Sequence, residues 1–136
     1  MPESKLDTVR RFGEAWGRND LDGVLECAHP DIELDWSRSL STYQGIYRGH
    51  EGLMQFWAEQ EDAWAEFSIE IVEAIDVGDE RVVTVNTVRG RGRGSGIALE
   101  AGGGVIWTIE KRLIRSARLF QSGEEALEAA RGAAGP

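Results

Sequence analysis

Acidic and apolar side chains alternate in "HPDIELDWSRS", residues 29–39, where Glu33 and Asp35 stand between Ile32, Leu34 and Trp36. A carboxylate held in a dry cavity has its pKa raised toward neutrality and can take a proton from carbon. In water the same groups are only the hydrated face of a strand. Parity decides between the two, because successive side chains of a strand leave opposite faces. If Ile32, Leu34 and Trp36 look inward, Glu33 and Asp35 look toward solvent or a subunit contact. Glu73 and Glu100 meet the same objection. A slip of one residue would turn Asp35 inward, which keeps it as a candidate general base, with His50 or Tyr47 as proton donor.

"YRGHEG", residues 47–52, sets glycines and His50 at a helix start, where free N–H groups and the dipole favour an anion. A capping or loop histidine explains His50 as well, and His29 before Pro30 is a loop residue. "RGRGRGSG" could hold phosphate through Arg89, Arg91 and Arg93. Glycine alternation at a strand end more simply describes a twisted, solvated hairpin, and no strand-to-helix context makes it a nucleotide fingerprint. Five tryptophans, Trp16, Trp36, Trp57, Trp64 and Trp107, all take inward positions by periodicity. They serve either as large core residues or as the wall of an apolar ligand cavity.

The elements that must position these groups follow from the pattern. Leu6, Val9, Phe12 and Trp16 recur at helical spacing up to Gly17, with Ser4 and Asp7 as an N-terminal cap. Asn19 and Asp20 can cap a second, short helix bearing Leu21, Val24, Leu25 and Ala28, which Pro30 cannot continue. Ile32 to Trp36 is a strand, and 38–48 a polar loop. Gly49 opens a third helix with Leu53, Phe56, Trp57, Gln60 and Trp64 on one face. From Phe67 the period falls to two through four segments, a four-strand antiparallel meander, and Ser122 with Glu125 begins a terminal helix. This order predicts an α+β domain, a curved antiparallel sheet with its helices on one face and a cone-shaped interior holding one pocket.

The chain has 136 residues, 41% of them hydrophobic, enough for one domain with a sizeable core. Twenty-four Asp and Glu against fifteen Lys and Arg leave a net charge of -9, which repels phosphate backbones and argues against nucleic acid. The one cysteine, Cys27, reads as a core thiol and excludes an internal disulfide; no His/Cys spacing suggests a metal, and no cofactor is expected. The first residues lack the apolar run of a signal peptide, and no stretch approaches the roughly 18 apolar residues of a membrane span. A cytoplasmic protein without membrane contact is the expectation.

"VRRFGEAWGRNDLDGVLECAHPDIELDW", "YQGIYRGHEGLMQFW", "VIWTIEKRLIRSARLF" and "EEALEAA" together resemble the SnoaL-like branch of the ketosteroid-isomerase-like superfamily, with its nuclear-transport-factor-like fold. The resemblance covers nearly the whole chain. It implies a cone-shaped α+β barrel, a homodimer packed through the outer sheet face, and a pocket between sheet and helices. In ketosteroid isomerases an aspartate moves the proton while a tyrosine and a protonated aspartate stabilise the oxyanion. Aligned here, the tyrosine falls on Phe12, the base on Trp36 and the second aspartate on Val105, so none of the three polar groups is present.

Three functions are in play. The first is binding of a small, mostly apolar molecule by Phe12, Trp16, Trp36, Tyr47, Phe56, Trp57, Trp64, Val105 and Trp107. The second is a polyketide-cyclase- or isomerase-type enzyme using Asp35. The third is a non-enzymatic dimeric interaction module whose acidic outer surface docks a basic partner.

Overall fold

The computed structural model describes residues 5–37, 45–78 and 80–133. Helix α1 (Lys5–Gly17) buries Thr8, Val9, Phe12 and Ala15, one stripe of its helical repeat. Ser4, its expected cap, lies outside the described residues. Asn19 takes a left-handed conformation (φ 58°) that turns the chain into α2 (Leu21–Cys27). The Asp20 carboxylate caps α2 by accepting the Gly23 N–H at 3.0 Å, and that bond holds its pKa below the ordinary carboxylate value. Ala28 then leaves the helix in an extended conformation, two residues before Pro30.

The chain continues as β1 (Ala28–Asp35), β2 (Ile46–Arg48), α3 (Gly49–Ala63), β3 (Trp64–Gly78), β4 (Arg81–Gly92), β5 (Ala98–Glu110), β6 (Leu113–Phe120) and α4 (Gly123–Ala133). One six-stranded sheet results, in the order β2-β1-β6-β5-β4-β3. The α+β architecture and the antiparallel meander β3–β6 follow the sequence pattern. Four details depart from it. The sheet is mixed, because β1 runs parallel to β6, with Leu34 beside Ala117 and Asp35 beside Arg118. Part of the expected loop is strand: Ile46–Arg48 pairs with β1, while residues 38–44 lie outside the described residues. Trp64 is not on α3 but starts β3, directly after the helix ends. The helices are not all on one face.

That last point follows from two separate cores. Val82, Val105, Trp107 and Ala117 face inward with Ile32 and Leu34 and pack against Val9 and Phe12 of α1 and Leu53 and Phe56 of α3. Val83, Ile106 and Phe120 leave the opposite face and pack against Ala126 and Ala130 of α4. Ser122 Oγ caps α4 by accepting the Glu125 N–H at 3.1 Å. The close approach of α4 to β5 requires glycine: a Cβ at Gly104 would lie 2.6 Å from the Ser122 carbonyl oxygen and 2.8 Å from Gly123 Cα. Among the described residues no helix is long and apolar enough to cross a membrane.

Candidate functional site

The inward face of the sheet and the two long helices enclose a small hollow of about 40 Å³. Its wall combines Phe12 and Trp16 of α1, Phe56 of α3, Leu34 of β1, Trp36, and Ile69, Ile71, Asn86, Val105, Trp107 and Ala117 of the sheet. Trp36, Ile69, Asn86 and Val105 also border a wider mouth of about 410 Å³, which adds Gln60, Trp64, Phe67, Leu99, Gly102, Gly103 and Leu119 among others. Every described residue lining hollow and mouth is uncharged. A volume of this order is within the ~300–1,000 Å³ of ligand cavities.

Aromatic contacts stiffen the wall. Phe12 meets Trp107 edge-on at 5.4 Å, Trp36 meets Phe56 at 5.1 Å, and Trp16 lies 5.6 Å from Phe56 and 4.9 Å from Trp57. Phe12, Trp36 and Val105, where the resemblance would place an isomerase's three polar groups, converge on the same hollow. Trp107 hands its indole N–H to Thr84 Oγ1 at 2.8 Å, and Trp57 hands its own to Glu61 at 2.9 Å. Trp64 differs: its Nε1 is buried without a partner, as is Asn86 Oδ1. The Trp64 ring lies across Gly90, where a Cβ would approach ring Cε3 to 2.8 Å.

The remaining candidates lie apart from the hollow. Asp35 leaves the outer face of β1, where Ser37 donates to it through N (3.1 Å) and Oγ (2.6 Å) and Arg118 Nε lies 3.6 Å away. Asp35 lines neither the hollow nor the mouth. Glu33, on the same face, pairs with Arg48 at 3.5 Å. His50 Nε2 donates to the Ala28 carbonyl at 2.9 Å, tying α3 to the start of β1. Tyr47 is buried against Phe56, and its hydroxyl donates to Glu59. Trp57 lines an adjoining surface groove with Trp16, Glu61 and Arg93, which shares Gln60, Trp64 and Phe67 with the mouth.

The three arginines of the glycine-rich segment are engaged in the fold. Arg89 bonds Glu100 at 2.8 Å and Glu70 at 3.2 Å, and the Glu100 carboxylate raises its already high pKa. Arg91 donates to the Gly96 carbonyl at 3.2 Å. Arg93 caps the end of α3 by donating to the Glu61 and Trp64 carbonyls at 3.0 and 3.1 Å, favourable for a cation at a helix C-terminus. Among the described residues no cluster of His, Cys, Asp and Glu could hold a metal ion.

A sequence profile described as the SnoaL-like domain matches residues 9–117, most of the chain. The chain belongs to the SnoaL-like family. Solved structures agree on the fold of this SnoaL-like domain. A nuclear-transport-factor-like protein of unknown function from Burkholderia pseudomallei superposes with a TM-score of 0.78 at 25% identity, covering 93% of this chain and 97% of that one. A polyketide cyclase candidate from Xanthomonas campestris gives 0.71 at 16% identity over 93% and 96%. RV0760c from Mycobacterium tuberculosis, solved with estradiol-17beta-hemisuccinate, gives 0.74 at 16% identity over 86% and 93%. No curated protein matches the chain.

Asn86, Ile69, Ile71 and Phe67 are wall residues that periodicity alone did not single out. The signal for Asn86 was present: it shares the parity of Val82 and Thr84 in "RVVTVNTV", and that parity is the inward one.

Proposed function

We propose that this SnoaL-like domain binds a small, mostly apolar molecule in the hollow bounded by Phe12, Trp36, Val105 and Trp107 and in its mouth. The observation that carries the reading is the uncharged, largely aromatic and aliphatic wall, continuous from hollow to mouth through Trp36, Ile69, Asn86 and Val105. Burying apolar ligand surface there yields roughly 25 cal/mol per Å². Binding rather than proton transfer is the better supported role, because Asp35 is occupied by Ser37 and Arg118 on the other side of β1. The RV0760c steroid complex supports a ring-shaped ligand by analogy of fold only.

Titration with naphthalene tests this, followed by calorimetry and by quenching of tryptophan emission. One-to-one saturable binding is expected, weakened at least about tenfold, equivalent to ~1.4 kcal/mol, by Val105→Phe, which fills the hollow. Absence of saturable binding, or binding unchanged in a folded Val105→Phe variant, contradicts it.

A further inference from the structure

Two atoms of the wall are anomalous for an apolar lining. Asn86 is 3% exposed, yet its Oδ1 has no hydrogen-bond partner, and the buried Trp64 Nε1 has none either. Buried polar atoms in folded proteins nearly always find a partner, since each orphan forfeits its hydration without return. Trp57 and Trp107 obey that rule through Glu61 and Thr84. Asn86 and Trp64 break it on the wall of one cavity, the mouth of about 410 Å³. Across the β4–β5 pairing the neighbour of Asn86 is Gly103, which offers no side chain to fill the space beside the amide.

Resting on the binding role proposed above, we infer that the ligand is a neutral ring compound carrying a hydroxyl group, which hydrogen-bonds the Asn86 amide. The chemistry selects a hydroxyl. Asn86 Oδ1 needs a donor, which a hydroxyl supplies, whereas a carbonyl or ether only accepts; Trp64 pairs with Gly92, six residues along β4 from Asn86, out of reach of the same group. If the amide is turned the other way, its NH₂ donates and the hydroxyl accepts, so the selection survives. Neutrality follows from the wall: an ionised carboxylate or ammonium would lose its hydration among uncharged side chains with no opposite charge to meet it. Trp36, Ile69 and Val105, shared by hollow and mouth, would take the ring while the Asn86 amide fixes its orientation.

Calorimetry with naphthalene, a naphthol and naphthoate at neutral pH tests the inference on the full chain and on the Asn86→Leu and Asn86→Ala variants. The naphthol is expected to bind about tenfold tighter than naphthalene, the advantage of one satisfied buried hydrogen bond. Naphthoate is expected to bind weakest. In Asn86→Leu the naphthol advantage falls to about twofold or less while naphthalene binding persists, which also reports an intact fold. Asn86→Ala reduces the advantage likewise, and carries the test alone if Asn86→Leu does not fold. Equal binding of naphthol and naphthalene, an advantage unchanged in the folded variants, or preferred binding of naphthoate overturns the inference and leaves apolar binding standing. Failure of both naphthalene and the naphthol to bind overturns the two together.

Discussion

Trp107 and Trp64 carry the same side chain in opposite circumstances. Trp107 is a structural member: it fills the floor of the hollow and donates to Thr84 Oγ1 from the next strand, a bond buried from water. Trp107→Phe keeps most of the apolar contact but leaves the Thr84 hydroxyl without its donor, at a cost of about 1–3 kcal/mol. Chemical denaturation should show that loss with little change in the denaturant slope. Adding Thr84→Val should recover part of it, because the orphaned hydroxyl is then removed. At this scale the sequence was legible where parity was clean. Ile32 and Leu34 are buried, and Glu33 and Asp35 pair with Arg48 and Arg118 on the far side. Parity could not say that Asn86 would stand unpartnered, because that depends on what Gly103 and Ile71 offer from the flanking strands.

Among elements, α4 departs most from the sequence expectation. It covers Val83, Ile106 and Phe120 on the outer face of the sheet, so β4 has apolar residues on both sides and "RVVTV" loses its two-residue rhythm. The helix itself was legible from Ser122 and Glu125, but its docking site was not. Gly104 and Gly123 let it approach: a Cβ at Gly104 would lie 2.9 Å from that of Ala126. Gly104→Ala should therefore cost about 1–3 kcal/mol through overpacking. Gly102→Ala is the control, since a Cβ there meets nothing within 4 Å. A thermal melt of the two variants checks this; equal midpoints would mean that α4 does not sit against β5 as described. The parallel pairing of β1 with β6 is absent from the sequence pattern for a related reason. Such pairings join distant segments, and neither strand's own pattern records the direction of its neighbour. Trp64, one turn beyond Gln60, keeps the helical phase, although α3 ends at Ala63 with the Glu61 and Ala63 carbonyls taken by Arg93.

At the scale of the molecule, none of the described Asp, Glu, Lys and Arg residues is buried, and the interior keeps an uncharged funnel. Arg89 with Glu70 and Glu100, Lys5 with Asp76, and Arg118 with Asp35 all lie outside that funnel. Lys5 holds the Asp76 carboxyl below its ordinary value and ties the start of α1 to the end of β3. The order of elements was enough to foresee a curved sheet around N-terminal helices. The chemistry of the hollow needed the packed structure, because its walls come from seven different elements and from Trp36 beyond the end of β1. The most direct test is a crystal structure of the protein soaked with a naphthol. The expected result is a ring between Trp36, Val105 and Trp107 with its oxygen within hydrogen-bond distance of the Asn86 amide. Ligand density confined to the Trp16–Trp57 groove, or to the outer face beside Asp35, would contradict it.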